Sequence, residues 1–376
     1  MTEQGVTLGI EEEYLLVDRE SRDLLSDPPP ALFKACEQRL ASQVTPEFLR
    51  AQIEVGTPVC RSLTEARQQL THLRRSVCEV AEEHGAAIIA ASTHPFAHWT
   101  RQRHTDKERY NTLARDIGAP ARRLLICGMH VHVGIADDDL RIELANQVGY
   151  FLPHLLALST SSPFWEGIDT GLMSYRLSVF DELPRTGLPE RFESYGEYQR
   201  HVQMLVNAGI IEDATKIWWD VRPSARFPTL EMRISDMCTR LDDAMCVAAL
   251  YVCVIAMLIR LRRANQRWRA YANMLVAENR WRAQRYGVDE GLIDFGRGRI
   301  VPYPELLGEI VDLIRPEAER LGCLSDVEHA RTIVARGTSA HNQRRIHQQA
   351  LAAGASEAEA LAAVVDWLVS ETRPKG

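Results

Sequence analysis

Apolar positions recur along the chain at two spacings, every second residue in some stretches and every third or fourth in others, with no fixed longer repeat, which predicts interleaved strands and helices. Residues 9–18, "GIEEEYLLVD", read as a strand, as do the later half of "TPEFLRAQIEVGTPVC", the short apolar run "AAIIAAST" and the longer "RRLLICGMHVHVGI". "KIWWDVRPSARFPTLEMRIS" predicts two strands around a turn from Pro223 to Pro228. Helical spacing covers "ALFKACEQRL", residues 62–85 with a Ser-x-x-Glu start at Ser62 and a stop at Gly85, "LRIELANQVGYFLPHLLALSTSS" and "SYGEYQRHVQMLVNAG". From Asp242 onward the pattern is almost entirely helical, ending in an Ala-rich helix near residues 356–369. The predicted class is α+β, an antiparallel sheet with helices packed on one face. No Ser/Gly/Pro linker divides the chain, so one domain over 1–376 is expected, with a sheet core over about 5–240 and a mainly helical part over about 241–376.

Composition narrows the partners. The 376 residues are 45% hydrophobic and 25% charged, enough for a well-filled core, and the net charge of −7 offers no basic field to gather nucleic acid. Eight cysteines lie mostly in apolar runs without a C-x-x-C pair, the pattern of reduced core thiols in a cytoplasmic protein. The first residues lack a basic stretch followed by an apolar one, so no signal peptide is expected. The longest apolar run, residues 244–259, is shorter than the roughly 20 residues of a bilayer crossing and reads as a buried helix.

Several strands carry charge or imidazole where a half-buried strand should be apolar. In the first, Glu11 and Glu13 share one face and Glu12 takes the other, because side chains alternate along a strand. A solvated edge strand tolerates such charges; a metal-holding face uses them. Glu54 lies in "AQIEVG" with Glu47 seven residues earlier, His130 and His132 share a face of "GMHVHVGI", and Glu231 and Arg233 share a face of "LEMRISD". Each alone reads as an ordinary surface or structural residue; together they describe a polar face with a purpose. Carboxylates with little imidazole suit Mg²⁺ or Mn²⁺ rather than zinc, and an arginine beside them suits a transferring phosphoryl group. No P-loop is present, and "FGRGRI" at Phe295 lacks the third glycine of a nucleotide loop.

The motifs "GIEEEYLLVD", "IEVGTPVC", "STHPFAHW", "CGMHVHVGI", "SPFWEGIDTG", "WWDVRPSARFPTLEMRISD" and "NRWRAQRYG", in this order, resemble the type 2 glutamate–cysteine ligase family, the bacterial carboxylate–amine ligases of a glutamine-synthetase-like superfamily. The resemblance implies a curved antiparallel sheet forming a funnel, with helices on its outer face and metal-bound ATP on its polar concave face. It implies metal ligands in two clusters, Glu11, Glu47 and Glu54 in one and Glu13, His130 and Glu231 in the other, and thus two or more Mg²⁺ ions. It gives Arg233 and Glu54 catalytic roles, and offers Arg233, Arg282 and Arg285 for the nucleotide. His94, His132, Arg176 and Arg222 are its candidates for binding an amino-acid substrate. Glu12 is left out of both clusters and must face solvent or a basic partner. The implied reaction converts a carboxylate, the γ-carboxyl of glutamate, to an acyl phosphate with ATP, which an amine, by default that of cysteine, then attacks. A guanidino-kinase-like phosphotransferase and a non-catalytic nucleotide- or amino-acid-binding regulator stay open beside it. Small molecules are the expected partners, with no nucleic acid and no membrane, and exposed helical faces permit a homodimer.

Overall fold

The computed structural model describes residues 7–375. Its centre is the long strand β1 (Leu8–Asp18), which pairs along one edge with β3 (Gln52–Gly56) and along the other with β5 (Met129–Gly134) and then β4 (Ala86–Ile89). The short strand β2 (Val44–Pro46) extends the sheet beyond β3, and β6 (Val221–Pro223) and β7 (Thr229–Met232) extend it beyond β5. All seven strands pair antiparallel, and the sheet runs β6-β7-β5-β1-β3-β2 as an open sheet, not a barrel.

Alternation along these strands separates two chemistries. Ile10, Tyr14, Ile53, Val55, Met129, Val131, Val133, Leu230 and Met232 are all buried on the back face. The helices Leu63–Glu83 and Leu241–Arg263 pack there, against β1 and β5 respectively. Burying one such aliphatic side chain stabilises by roughly 1.5–3 kcal/mol, and this face joins the helices in one continuous core. Leu63–Glu83 starts where Ser62 Oγ accepts the Glu65 N–H, as the Ser-x-x-Glu spacing predicts. Leu241–Arg263 extends the predicted apolar run at both ends and is then long and apolar enough to cross a bilayer, but 89% of its apolar window lies inside the protein. All eight cysteines are buried free thiols.

Glu12 is the exception on the back face. It is fully buried, and Arg74, from the middle of the Leu63–Glu83 helix, grips it with two bonds, Nε to Oε2 at 2.6 Å and an Nη to Oε1 at 2.5 Å. The Tyr14 hydroxyl donates to the same carboxylate at 2.5 Å, and the remaining arginine donors reach the carbonyls of Cys238 and Thr239 at 2.8 Å. Burial pulls the Arg74 pKa down, yet the Glu12 carboxylate outweighs it and the net shift is upward.

Three predicted elements differ. The strand at residues 122–135 begins only at Met129, because the preceding backbone bonds elsewhere: Gln52 takes the Ile126 carbonyl and Cys127 donates to the Ser92 carbonyl. β4 stops at Ile89, where Ala90 N–H turns to the Thr372 hydroxyl. The helical C-terminal part contains a hairpin, Leu292–Asp294 with Arg299–Val301; Asp294 Oδ1 accepts from the Gly296 and Arg297 amides, so "FGRG" is a hairpin turn. Helices Glu108–Ile117 and Ala119–Arg122 lie outside the predicted elements, although Tyr110, Leu113, Ala114 and Ile117 recur at helical spacing and pack against the core.

Candidate active site

The front face of the sheet floors a cavity of about 450 Å³. Register brings its side chains together: Glu13 lies opposite Glu54, Glu11 opposite His130, His132 opposite Glu231, and Glu231 opposite Arg222. Glu47, in the turn after β2, completes an acidic cluster. Single ligand atoms of Glu13, Glu47 and Glu54 lie within 4.8 Å of one another, as do those of Glu11, Glu54 and His130, and those of Glu11, His132 and Glu231. This grouping departs from the two clusters that the resemblance implies, because the strand register sets Glu13 against Glu54 and leaves Glu11 between the two histidines.

The four glutamates Glu11, Glu13, Glu47 and Glu54 are held by neutral donors and imidazoles. Gly128 N–H donates to Glu13 at 2.7 Å, Phe48 N–H to Glu47 at 3.0 Å, and the Thr45 hydroxyl to Glu54 at 3.1 Å. Glu11 meets His130 Nδ1 at 3.2 Å and His132 Nε2 at 3.5 Å. Among the described residues no lysine or arginine ion-pairs with any of the four. Burial, followed by repulsion from Glu13, pushes Glu47 up to about 7; burial and then repulsion from Glu47 raise Glu54 well above the carboxylate range. Burial acts the same way on Glu11, but bonds from His130 and His132 win and its net shift is downward.

The other half of the floor is basic. Arg222 donates to both oxygens of Glu231 at 2.9 and 3.3 Å, and Arg233 adds a 2.5 Å bond, so Glu231 stays ionised against its burial. Arg222 also reaches the carbonyls of Thr215 and Ile217. Its fork is therefore spent on orienting Glu231, not free to clamp a ligand as expected. Arg176 also lines the cavity. It is buried, bonds only the carbonyls of Arg233 and Ile234 at 3.2 and 3.4 Å, and leaves Nε without a partner. The glycine at 128 makes room for it, since a Cβ there would stand 2.4 Å from the guanidinium. His132 lines the cavity too, its Nδ1 on the Thr229 hydroxyl at 2.9 Å. The wall is completed by Lys107, Arg109, Tyr110, Lys216 and Arg226, none of which the sequence singled out. Arg109 and Tyr110 lie in the helix Glu108–Ile117, whose period at Tyr110, Leu113, Ala114 and Ile117 could have pointed to it; the others lie in loops or a single 3₁₀ turn.

Three expected site residues lie outside the cavity lining. His94 is buried, with Nδ1 accepting from the Phe96 and Ala97 amides and Nε2 on the Arg22 carbonyl, so it staples a turn. Arg282 bonds the carbonyls of Gly291 and Glu290, and Arg285 bonds that of Gly171; both also stack on Tyr286. Their helix sets them against the hairpin and a neighbouring loop instead of the cavity.

The open antiparallel sheet with its helices has the fold of solved glutathione synthetase and glutamate–cysteine ligase structures. The structure is similar to a bifunctional glutathione synthetase from Pasteurella multocida, with a TM-score of 0.71 at 17% identity over 98% of this chain and 53% of that one. It is equally similar to a glutamate–cysteine ligase from Francisella tularensis solved in complex with AMP, with a TM-score of 0.70 at 13% identity over 98% and 89% of the two chains. In sequence, residues 7–365 match the model of glutamate-cysteine ligase family 2. The "Putative glutamate--cysteine ligase 2" of Rhodospirillum rubrum is 63% identical over 99% of this chain and 97% of its own length, and that of Jannaschia sp. 55% identical over 98% and 97%. The chain belongs to glutamate-cysteine ligase family 2, a family of ligases.

Proposed function

We propose that the protein is an ATP- and Mg²⁺-dependent carboxylate–amine ligase that activates a carboxylate, the γ-carboxyl of glutamate, for attack by an amine, with cysteine as the default acceptor. One observation carries the reading: four half-buried glutamates share a cavity face without a lysine or arginine ion pair, across from arginines that the same cavity presents. The donor set fits divalent cations that prefer oxygen. Two of the carboxyls are pushed up by burial and by neighbouring glutamates, and His130 Nε2 is buried without a hydrogen-bond partner. Glu11, Glu13, Glu47, Glu54 and His130 would hold Mg²⁺, with Glu231 at the margin because two arginines already neutralise it. Bound there, the metal would screen phosphate charge and bind phosphate oxygens.

The chain's own residues supply the rest. An unactivated carboxylate is a poor electrophile toward an amine, so the route passes through an acyl phosphate that the amine opens with release of phosphate. Arg233, ordered by Glu231 and near His130, and the under-partnered Arg176 meet negative charge spreading over the transferring phosphoryl oxygens. Leu124, Ile126, Phe180 and Leu183 in the wall keep water from the activated carboxyl. The relative and the AMP-bound neighbour support an amino-acid substrate and adenine nucleotide. The test is release of ADP and phosphate across a panel of acids and amines, with products identified by mass. Release that requires both an acid and an amine supports the ligase. A stable phosphorylated product without free phosphate makes it a phosphotransferase, and Mg-ATP binding without turnover makes it a regulator.

A further inference from the structure

Arg280 stands two residues from the expected nucleotide contact Arg282 and outside the cavity lining, but its side chain is as fully bonded as that of Arg222 in the cavity. It is buried and holds two carboxylates at once. Its Nη atoms bond Asp181 at 2.7 and 2.9 Å, and Nε and an Nη bond Asp220 at 2.7 and 3.2 Å. Each aspartate leads to cavity arginines. Asp181 directly follows the helix Arg176–Phe180, whose first residue is Arg176. Asp220 precedes β6, which carries Arg222, and its carbonyl accepts the amides of Arg233 at 2.8 Å and Ile234 at 3.1 Å. Arg176 in turn donates to the carbonyls of Arg233 and Ile234. The connections therefore close into a ring that runs from Arg280 to Asp181, through the short helix to Arg176, across to the backbone of Arg233, to Asp220, and back to Arg280.

We infer that Arg280 is a positioning residue for the reaction, the clasp that fixes Arg176 and Arg233 in the cavity through Asp181 and Asp220. A planar fork is needed for this task, because only a guanidinium can offer parallel donors to two carboxylates on different elements; a lysine keeps the charge but loses the bidentate geometry. Misplacing catalytic groups by about 1 Å costs on the order of 10²-fold in rate. The inference rests on the ligase reading for its kinetic test, so a second readout follows the arginines themselves.

The experiment uses the full-length protein with Arg280→Lys, Asp181→Asn and Arg280→Ala. Arg280→Lys should lower kcat on the order of 10²-fold with KM for ATP and acid changing less than about threefold. Millimolar guanidinium, but not methylammonium, should restore part of the rate of Arg280→Ala. Phenylglyoxal mapped by mass should label Arg176 and Arg233 faster in Arg280→Lys and in Asp181→Asn, while Arg74, in a separate buried pair, stays protected. A folded Arg280→Lys variant with near wild-type kcat overturns the inference, as does unchanged labelling of Arg176 and Arg233. A wild-type protein that turns over no acid–amine pair overturns the ligase reading instead, and the labelling still decides whether Arg280 holds the two arginines.

Discussion

The two faces of β1 treat adjacent residues of one type in opposite ways. Glu12, on the back, is sealed in the core with a bidentate arginine, a tyrosine hydroxyl and no solvent. Glu11 and Glu13, one residue to either side, face a cavity with Glu47 and Glu54 and meet only imidazoles and a backbone amide. Charge neutralised by the protein itself serves the fold; charge the protein gathers and leaves without a cation is kept for something that binds. The difference teaches how to separate structural from functional carboxylates on one strand: Glu12 is buried with its own cation, Glu11 and Glu13 are half-buried without one.

The comparison breaks most visibly in activity. Glu54→Gln or His130→Ala should cut acid- and amine-dependent ADP release by about 10³-fold or more while circular dichroism and melting stay near wild type, since neither residue holds the core. Retained activity in either folded variant contradicts the cavity assignment. Next comes stability on the other face. Arg74→Met strands a buried carboxylate and should cost about 3–5 kcal/mol in denaturant unfolding, whereas the double change Glu12→Leu with Arg74→Met should recover most of that loss. Equal losses in single and double variants would mean that packing, not charge, is at stake.

A smaller effect appears in pH. Glu47 sits at about 7 in the folded protein against an ordinary value of 4.5, because burial and then Glu13 disfavour its charge. The folded state thus binds more protons than the unfolded state between those values, so this group's contribution makes metal-free protein more stable as pH falls from about 7 toward 5. Glu47→Gln should flatten that slope in thermal melts, and a slope unchanged by the substitution would remove Glu47 from the cluster. Smallest of all, Arg282→Ala should change KM for ATP by less than about threefold, since its side chain spans two carbonyls away from the cavity.

Much of this was legible in the chain. Period-two alternation sorted Glu11 and Glu13 from Glu12, and paired His130 with His132, before any strand was seen. What was not legible depends on partners distant in sequence. Arg74 sits on the buried side of its helix among Leu70, Leu73 and Val77, a place where an arginine signals a buried acid, but nothing local says that the acid is Glu12. The motif "NRWRAQRYG" was visible, yet which of its arginines faces inward is fixed by the rotation of the helix, and that turned Arg280 toward two aspartates and Arg282 toward a hairpin. Ligand grouping likewise follows strand register, which alternation alone does not set.

The most direct test of the proposal that the front face binds divalent cations is equilibrium binding of Mn²⁺ followed by electron paramagnetic resonance in wild type, Glu13→Gln and Arg74→Lys. Saturable Mn²⁺ binding in wild type that Glu13→Gln weakens tenfold or more and folded Arg74→Lys leaves intact is the predicted result. Mn²⁺ binding that is absent from wild type, or equal in wild type and Glu13→Gln, would contradict it.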